Sequence, residues 1–117
     1  HCAQETGSLV KAASGAFERI PYFTVQNISR SIESLIENGY LIVGLDHSGD
    51  TILVDLLKSL KSQRIAFILG SEGSGLRSLT KKKCNHLVQI SSKTTLGILN
   101  VSNAAAITLF AAGEFLK

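Results

Sequence analysis

A chain of 117 residues that is 44% hydrophobic and 18% charged has apolar mass for one core and too little for two. No apolar run approaches bilayer length and no charged-then-apolar leader precedes a small-residue cleavage site, so a cytoplasmic protein with no membrane partner is expected. The net charge of +3 fits either a basic face that neutralises nucleic-acid phosphates or a set of solvated helix ends.

Residues 1–19 are rich in small side chains, including Ala12-Ala13-Ser14-Gly15-Ala16, and show no helical or strand period. Pro21, the only proline, opens a β-prone run from Tyr22 to Val25, as a proline can at the first position of a strand. Asn27 reads as a helix N-cap. Ile28, Ile32, Leu35 and Ile36 then share one helical face, and Gly39 closes the element. Tyr40 to Leu45 is a near-continuous apolar run, the pattern of a strand buried on both faces. Asp50 or Thr51 is expected to cap a second helix with Leu53, Leu56, Leu57 and Leu60 as its stripe.

Ile65 to Leu69 reads as a further strand, followed by a glycine-rich turn and a short helix over about 76–82. His86 to Ile90 is the next strand, 91–97 a polar loop, and about 102–115 a final alanine-rich helix. Its small residues, Ala104, Ala105, Ala106, Ala111, Ala112 and Gly113, let another helix come close, from the same chain or from a second subunit. Strands alternating with helices across short connections predict an α/β fold, a parallel sheet with helices on both faces. With no repeat and no low-complexity linker, one domain over 1–117 is expected.

Cys2 and Cys84 make no disulfide framework, and their spacing matches no zinc pattern. Cys84, His86 and His47 could in principle ligate a metal, but no paired ligand repeats, and no metal is expected. The chain holds no methionine and opens on His1, which suggests a processed, excised or truncated piece whose first element is missing.

The chemistry concentrates in two stretches, Ile65 to Leu76 and Ile98 to Ala104. In the first, Gly70-Ser71-Glu72-Gly73-Ser74-Gly75 has the outer glycine spacing of a phosphate-binding P-loop, but Leu76-Arg77 stand where lysine and a hydroxyl are needed. The dinucleotide fingerprint fails too, because the glycines fall at 70, 73 and 75. A nucleotide-phosphate site is disfavoured. The glycines fit either a tight strand-to-helix turn or a loop that a ligand approaches closely. Glu72 favours the second, since a carboxylate in such a turn serves no core and can meet a cation or a hydroxyl. The second stretch places an Asn-x-Ser cluster at the mouth of the last helix.

Ile-Leu-Gly-Ser-Glu-Gly-Ser-Gly-Leu-Arg at 68–77, Ile90, and Leu-Asn-Val-Ser-Asn-Ala-Ala at 99–105 together resemble the last two motifs of the SpoU (TrmH) family. These are S-adenosylmethionine-dependent RNA ribose 2′-O-methyltransferases of the SPOUT class. Lys11-Ala-Ala-Ser-Gly-Ala16 resembles the segment preceding those motifs in the ribosomal-RNA branch. The resemblance implies a C-terminal trefoil knot, a homodimer, S-adenosyl-L-methionine as methyl donor and rRNA or tRNA as substrate. Backbone at Gly70, Ile90 and Leu99 would hold the donor's adenine and ribose, with Leu69, Gly75 and Asn100 beside it. Glu72 and Asn100 match polar active-site positions, and Ser102 is a further candidate.

In the family, the proposed base is an arginine in an N-terminal motif, accompanied by an asparagine; neither is expected on this chain. Two departures bear on turnover more than on fold. Ile98 stands where the family usually has serine, and Ser91 where a proline usually follows the Ile90 position. Three readings follow: a methyltransferase domain, a non-catalytic knotted remnant that dimerises and binds RNA or donor, and an unrelated α/β nucleotide-binding module.

Overall fold

The computed structural model describes residues 20–61, 63–71, 74–91 and 100–116. Helix α1 (Ile28–Glu37) starts where Asn27 Oδ1 accepts from the Arg30 N–H at 3.0 Å, and it ends at Gly39, whose φ of 84° turns the chain into the sheet. Of its apolar face only Ile32 is buried; Ile28 and Ile36 are exposed.

Strand β1 (Leu41–Leu45) is followed by β2 (Thr51–Ile52), α2 (Leu53–Ser59), β3 (Ile65–Leu69), α3 (Ser78–Lys83), β4 (His86–Gln89) and α4 (Val101–Phe115). The sheet order is β2-β4-β1-β3, and every pairing is parallel. The expected parallel α/β architecture is therefore present. On one face, Val43 and Val88 meet Leu53, Leu56 and Leu57 of α2 and Ala111 of α4. On the other, α1 packs on β1 and α3, and Gly44 leaves room for Cys84, Leu76 and Leu87. Burying these branched side chains on both faces contributes most of the stability, about 1.5–3 kcal/mol for each fully buried one.

Two local expectations fail for the same reason. Tyr22 to Val25 is irregular and exposed rather than a strand, because β propensity needs a neighbouring strand to take its ladder bonds. Asp50 and Thr51 do not cap α2: Thr51 and Ile52 pair with Val88 and Gln89 as β2, and α2 begins directly at Leu53 with no side-chain cap. Pairing with β4 outweighs the capping signal. The short helix starts at Ser78 rather than 76, and β4 stops at Gln89.

The connection from β1 to β2 has to pass the intervening β4. It does so at Gly49, where a Cβ would stand 2.6 Å from the Val88 carbonyl carbon, and Gln89 Nε2 donates to the Gly49 carbonyl at 3.1 Å. Residues 1–19, Glu72 and Leu99 lie outside the described residues, as does 92–99, on which the expected knot turns.

Candidate functional site

All four strands run the same way, so β1, β3 and β4 deliver their C-terminal ends to one edge, where open α/β sheets bind ligands. A cleft of about 140 Å³ opens there. Leu45, Leu69, Val88 and Ile90 supply its apolar walls; Asp46, Ser71, Gln89 and Ser91 its polar groups; Val101 and Ala104 of α4 close one side.

The glycine turn owes its form to close backbone contact. Gly75 N–H donates to the Ser71 carbonyl at 3.0 Å, and Gly75 has a φ of 70°, which side chains rarely tolerate. A Cβ on Gly70 would sit 2.2 Å from the Gly75 carbonyl carbon and 2.5 Å from the Leu76 nitrogen, both main-chain atoms. Glycine at 70 is thus a steric requirement, and it leaves main-chain groups facing the cleft.

Among the residues singled out in the sequence, Leu69, Gly70, Gly75 and Ile90 converge on this cleft. Asn100 does something local. Its Oδ1 accepts from the Ser102 N–H at 2.7 Å and the Asn103 N–H at 3.3 Å, capping α4, while the Ser102 residue is exposed at the same helix start. Neither is among the described residues lining the cleft, although Val101 between them is.

Sequence reasoning missed Asp46. It follows β1 directly, is buried, and lines the cleft. Its carboxylate accepts from the Ser48 N–H at 3.1 Å, the Ser48 hydroxyl, the Leu76 N–H at 3.4 Å and Lys81 Nζ at 3.3 Å. Burial pushes its pKa up, but the Ser48, Leu76 and Lys81 donors together outweigh burial and hold it at about 2. An acid at the very end of a doubly buried strand was the available signal.

The basic run divides. Lys81 pairs with Asp46 and Lys83 with Glu33 of α1, leaving Lys82 exposed. Cys84 donates to the Thr80 carbonyl at 3.3 Å, and burial raises its thiol pKa.

Residues 1–110 match the SpoU rRNA Methylase family. The chain belongs to that family. It is 36% identical over 110 residues to the 23S rRNA (guanosine-2'-O-)-methyltransferase RlmB of Escherichia coli K12, covering 94% of this chain and 44% of that protein. The RlmB of Neisseria meningitidis is 39% identical over 99 residues, covering 85% of this chain and 38% of the relative. The chain thus spans less than half the length of these curated relatives. Among solved structures, the SpoU methyltransferase AviRb from Streptomyces viridochromogenes, in complex with AdoMet, superposes with a TM-score of 0.76 at 23% identity, over 92% of this chain and 44% of that one. The AdoMet-bound rRNA methyltransferase from Sinorhizobium meliloti gives 0.77 at 24% identity, over 90% and 39%. These two establish a shared fold for this SpoU-family chain.

Proposed function

We propose that this chain is a single domain of an S-adenosyl-L-methionine-dependent RNA 2′-O-ribose methyltransferase, acting on rRNA, with the methyl donor in the cleft at the ends of β1, β3 and β4. One observation carries the reading: in a SpoU-family chain, Gly70 and Ile90 border one cleft that has both apolar walls and polar groups. Such a cleft fits the donor, because an adenine needs flat apolar contact plus peptide N–H and C=O groups that match its pairing edge. The family relationship to 23S rRNA 2'-O-methyltransferases supports rRNA over tRNA.

The bound donor would supply an electrophilic sulfonium methyl group. The protein's part is to exclude water, align the ribose 2′-hydroxyl with that methyl and help remove its proton. We assign the donor's base and ribose to backbone at Gly70, Ile90 and Leu99, flanked by Leu69 and Gly75. Glu72 and Asn100 hold the reacting end, with Ser102 beside them. A C-terminal trefoil knot and a homodimer complete the proposal. Membership of the SpoU family supports the first. The exposed apolar side of α4 supports the second, with Leu109 and Phe110 both turned to solvent.

The test is titration calorimetry with S-adenosylmethionine, then transfer of labelled methyl to rRNA. A 2′-O-methyl removes the nucleophile of alkaline strand cleavage, so label must appear in alkali-resistant dinucleotides. Micromolar binding is expected from this chain, and label in those dinucleotides from a protein that also carries the family's N-terminal arginine and asparagine. A folded protein that gives no binding heat refutes the donor site; binding without transfer means a non-catalytic donor-binding domain.

A further inference from the structure

We propose that Asp46 is a positioning residue for the donor cleft, tying the exit of β1, the glycine turn after β3 and helix α3 into one wall. The inference rests on the donor reading of the cleft. A carboxylate offers about four acceptor directions, and here four protein donors from three separate segments reach it. Ser48 belongs to its own loop, Leu76 to the end of the glycine turn and Lys81 to α3. Three of the four converge on Oδ2 and the Leu76 N–H alone reaches Oδ1, so the carboxylate is fixed at both oxygens and acts through the backbone it holds.

What it holds is the turn that borders the cleft. Asp46 Oδ1 accepts from the Leu76 N–H and stands 2.9 Å from where a Cβ on Gly75 would lie, so Gly75 and the carboxylate pack directly together. Gly75 in turn bonds Ser71 and presses on Gly70. Displacing Asp46 therefore moves the main chain at Gly70, Ser71, Gly75 and Leu76 relative to Leu45 at the end of β1 and Ile90 just after β4. Charge-assisted bonds are the stronger kind, and this set joins β1's exit to the turn across the cleft edge.

The experiment is calorimetric titration of the chain and its Asp46→Asn and Ser48→Ala variants with S-adenosylmethionine, reading Kd and stoichiometry separately. Asp46→Asn keeps the shape but turns an NH2 toward groups that are themselves donors. A Kd raised about tenfold at unchanged stoichiometry is expected, the order of one charge-assisted hydrogen bond. Ser48→Ala should raise it about threefold, as it removes a single hydroxyl donor. A purely structural role would instead lower the stoichiometry, by reducing the folded fraction, and leave Kd where it was. Kd values within twofold of wild type in both variants overturn the proposal. If Asp46→Asn fails to fold, Ser48→Ala decides alone by the same criterion. Wild-type chain that binds no donor removes the donor reading, and this inference with it.

Discussion

Gly70 and Gly75 face each other so closely that no side chain fits between them: a Cβ on Gly70 would stand 2.2 Å from the Gly75 carbonyl carbon. The obstruction is main chain, which cannot rotate aside as a side chain can. Gly70→Ala must push the turn away from β3, at a cost of about 1–3 kcal/mol, and shift the cleft wall. We expect a lower melting temperature and a donor affinity reduced at least tenfold. Gly113→Ala is the control. Nothing lies within 4 Å of a Cβ there in the single chain, and alanine in a helix gains about 0.5–1 kcal/mol over glycine, so this variant should melt higher at dilutions where the chain is monomeric.

Asn100 caps α4 through two N–H groups, which gives its substitution two separable effects. Asn100→Ala should destabilise the fold by about 1 kcal/mol, while Asn100→Asp keeps the capping oxygen and stays near wild type. If the amide also serves the reacting end, both substitutions should lower the full-length protein's methyl transfer by about a hundredfold or more, the range of about 10²–10⁴ for such groups. Denaturation midpoints read the first effect and initial rates the second. Full activity in stable Asn100→Asp would restrict the residue to capping.

Local signals in the sequence proved legible where a short stretch decides its own structure. Asn27 and Gly39 bracket α1, and the apolar run into Leu45 forms the central strand, because caps and burial patterns are set within a few residues. The parallel architecture followed from their alternation. Features that depend on distant partners were not legible. Thr51–Ile52 is a strand only because β4 lies beside it, whereas Tyr22 to Val25 has the composition of a strand and is not one of the four strands of the described sheet. Asp46 sits in Asp-His-Ser-Gly-Asp, a stretch that reads as a polar turn; its burial and its bonds to Leu76 and Lys81 exist only after folding. Glycine at 70 was visible, but the reason for it, contact with Gly75, was not.

Asp46 also fixes the sign of an acid transition. Its carboxyl titrates at about 2 in the folded chain, below the ordinary 3.8. A lowered folded value adds stability that is fully present above the ordinary pKa and is lost as pH falls through the folded one. The window is therefore about pH 5 down to about 2, and the contribution is on the order of 2 kcal/mol. Urea midpoints for the wild type should drop across that window. Asp46→Asn should start lower at pH 7 and show a flatter acid limb. Parallel curves for the two proteins would mean that other carboxylates set the acid response.

Helix α4 makes the last prediction. Its inner side is committed, with Thr108 and Ala111 buried and the helix packed on α2 and β3. The outer side carries Leu109 and Phe110, 66% and 69% exposed, with Ile107 partly so. A helix apolar all round is ordinarily buried all round, and water-exposed aromatics of this size in a patch mark an interface. A second copy of the chain is the proposed cover. Phe110→Asp should then convert a dimer to a monomer in light scattering without disturbing the inner packing, so secondary structure persists. Because association stabilises by mass action, the wild-type melting temperature should rise with protein concentration and that of Phe110→Asp should not. A wild type that is monomeric at every concentration, with a melting temperature independent of dilution, would leave the outer face of α4 without a second copy as its partner.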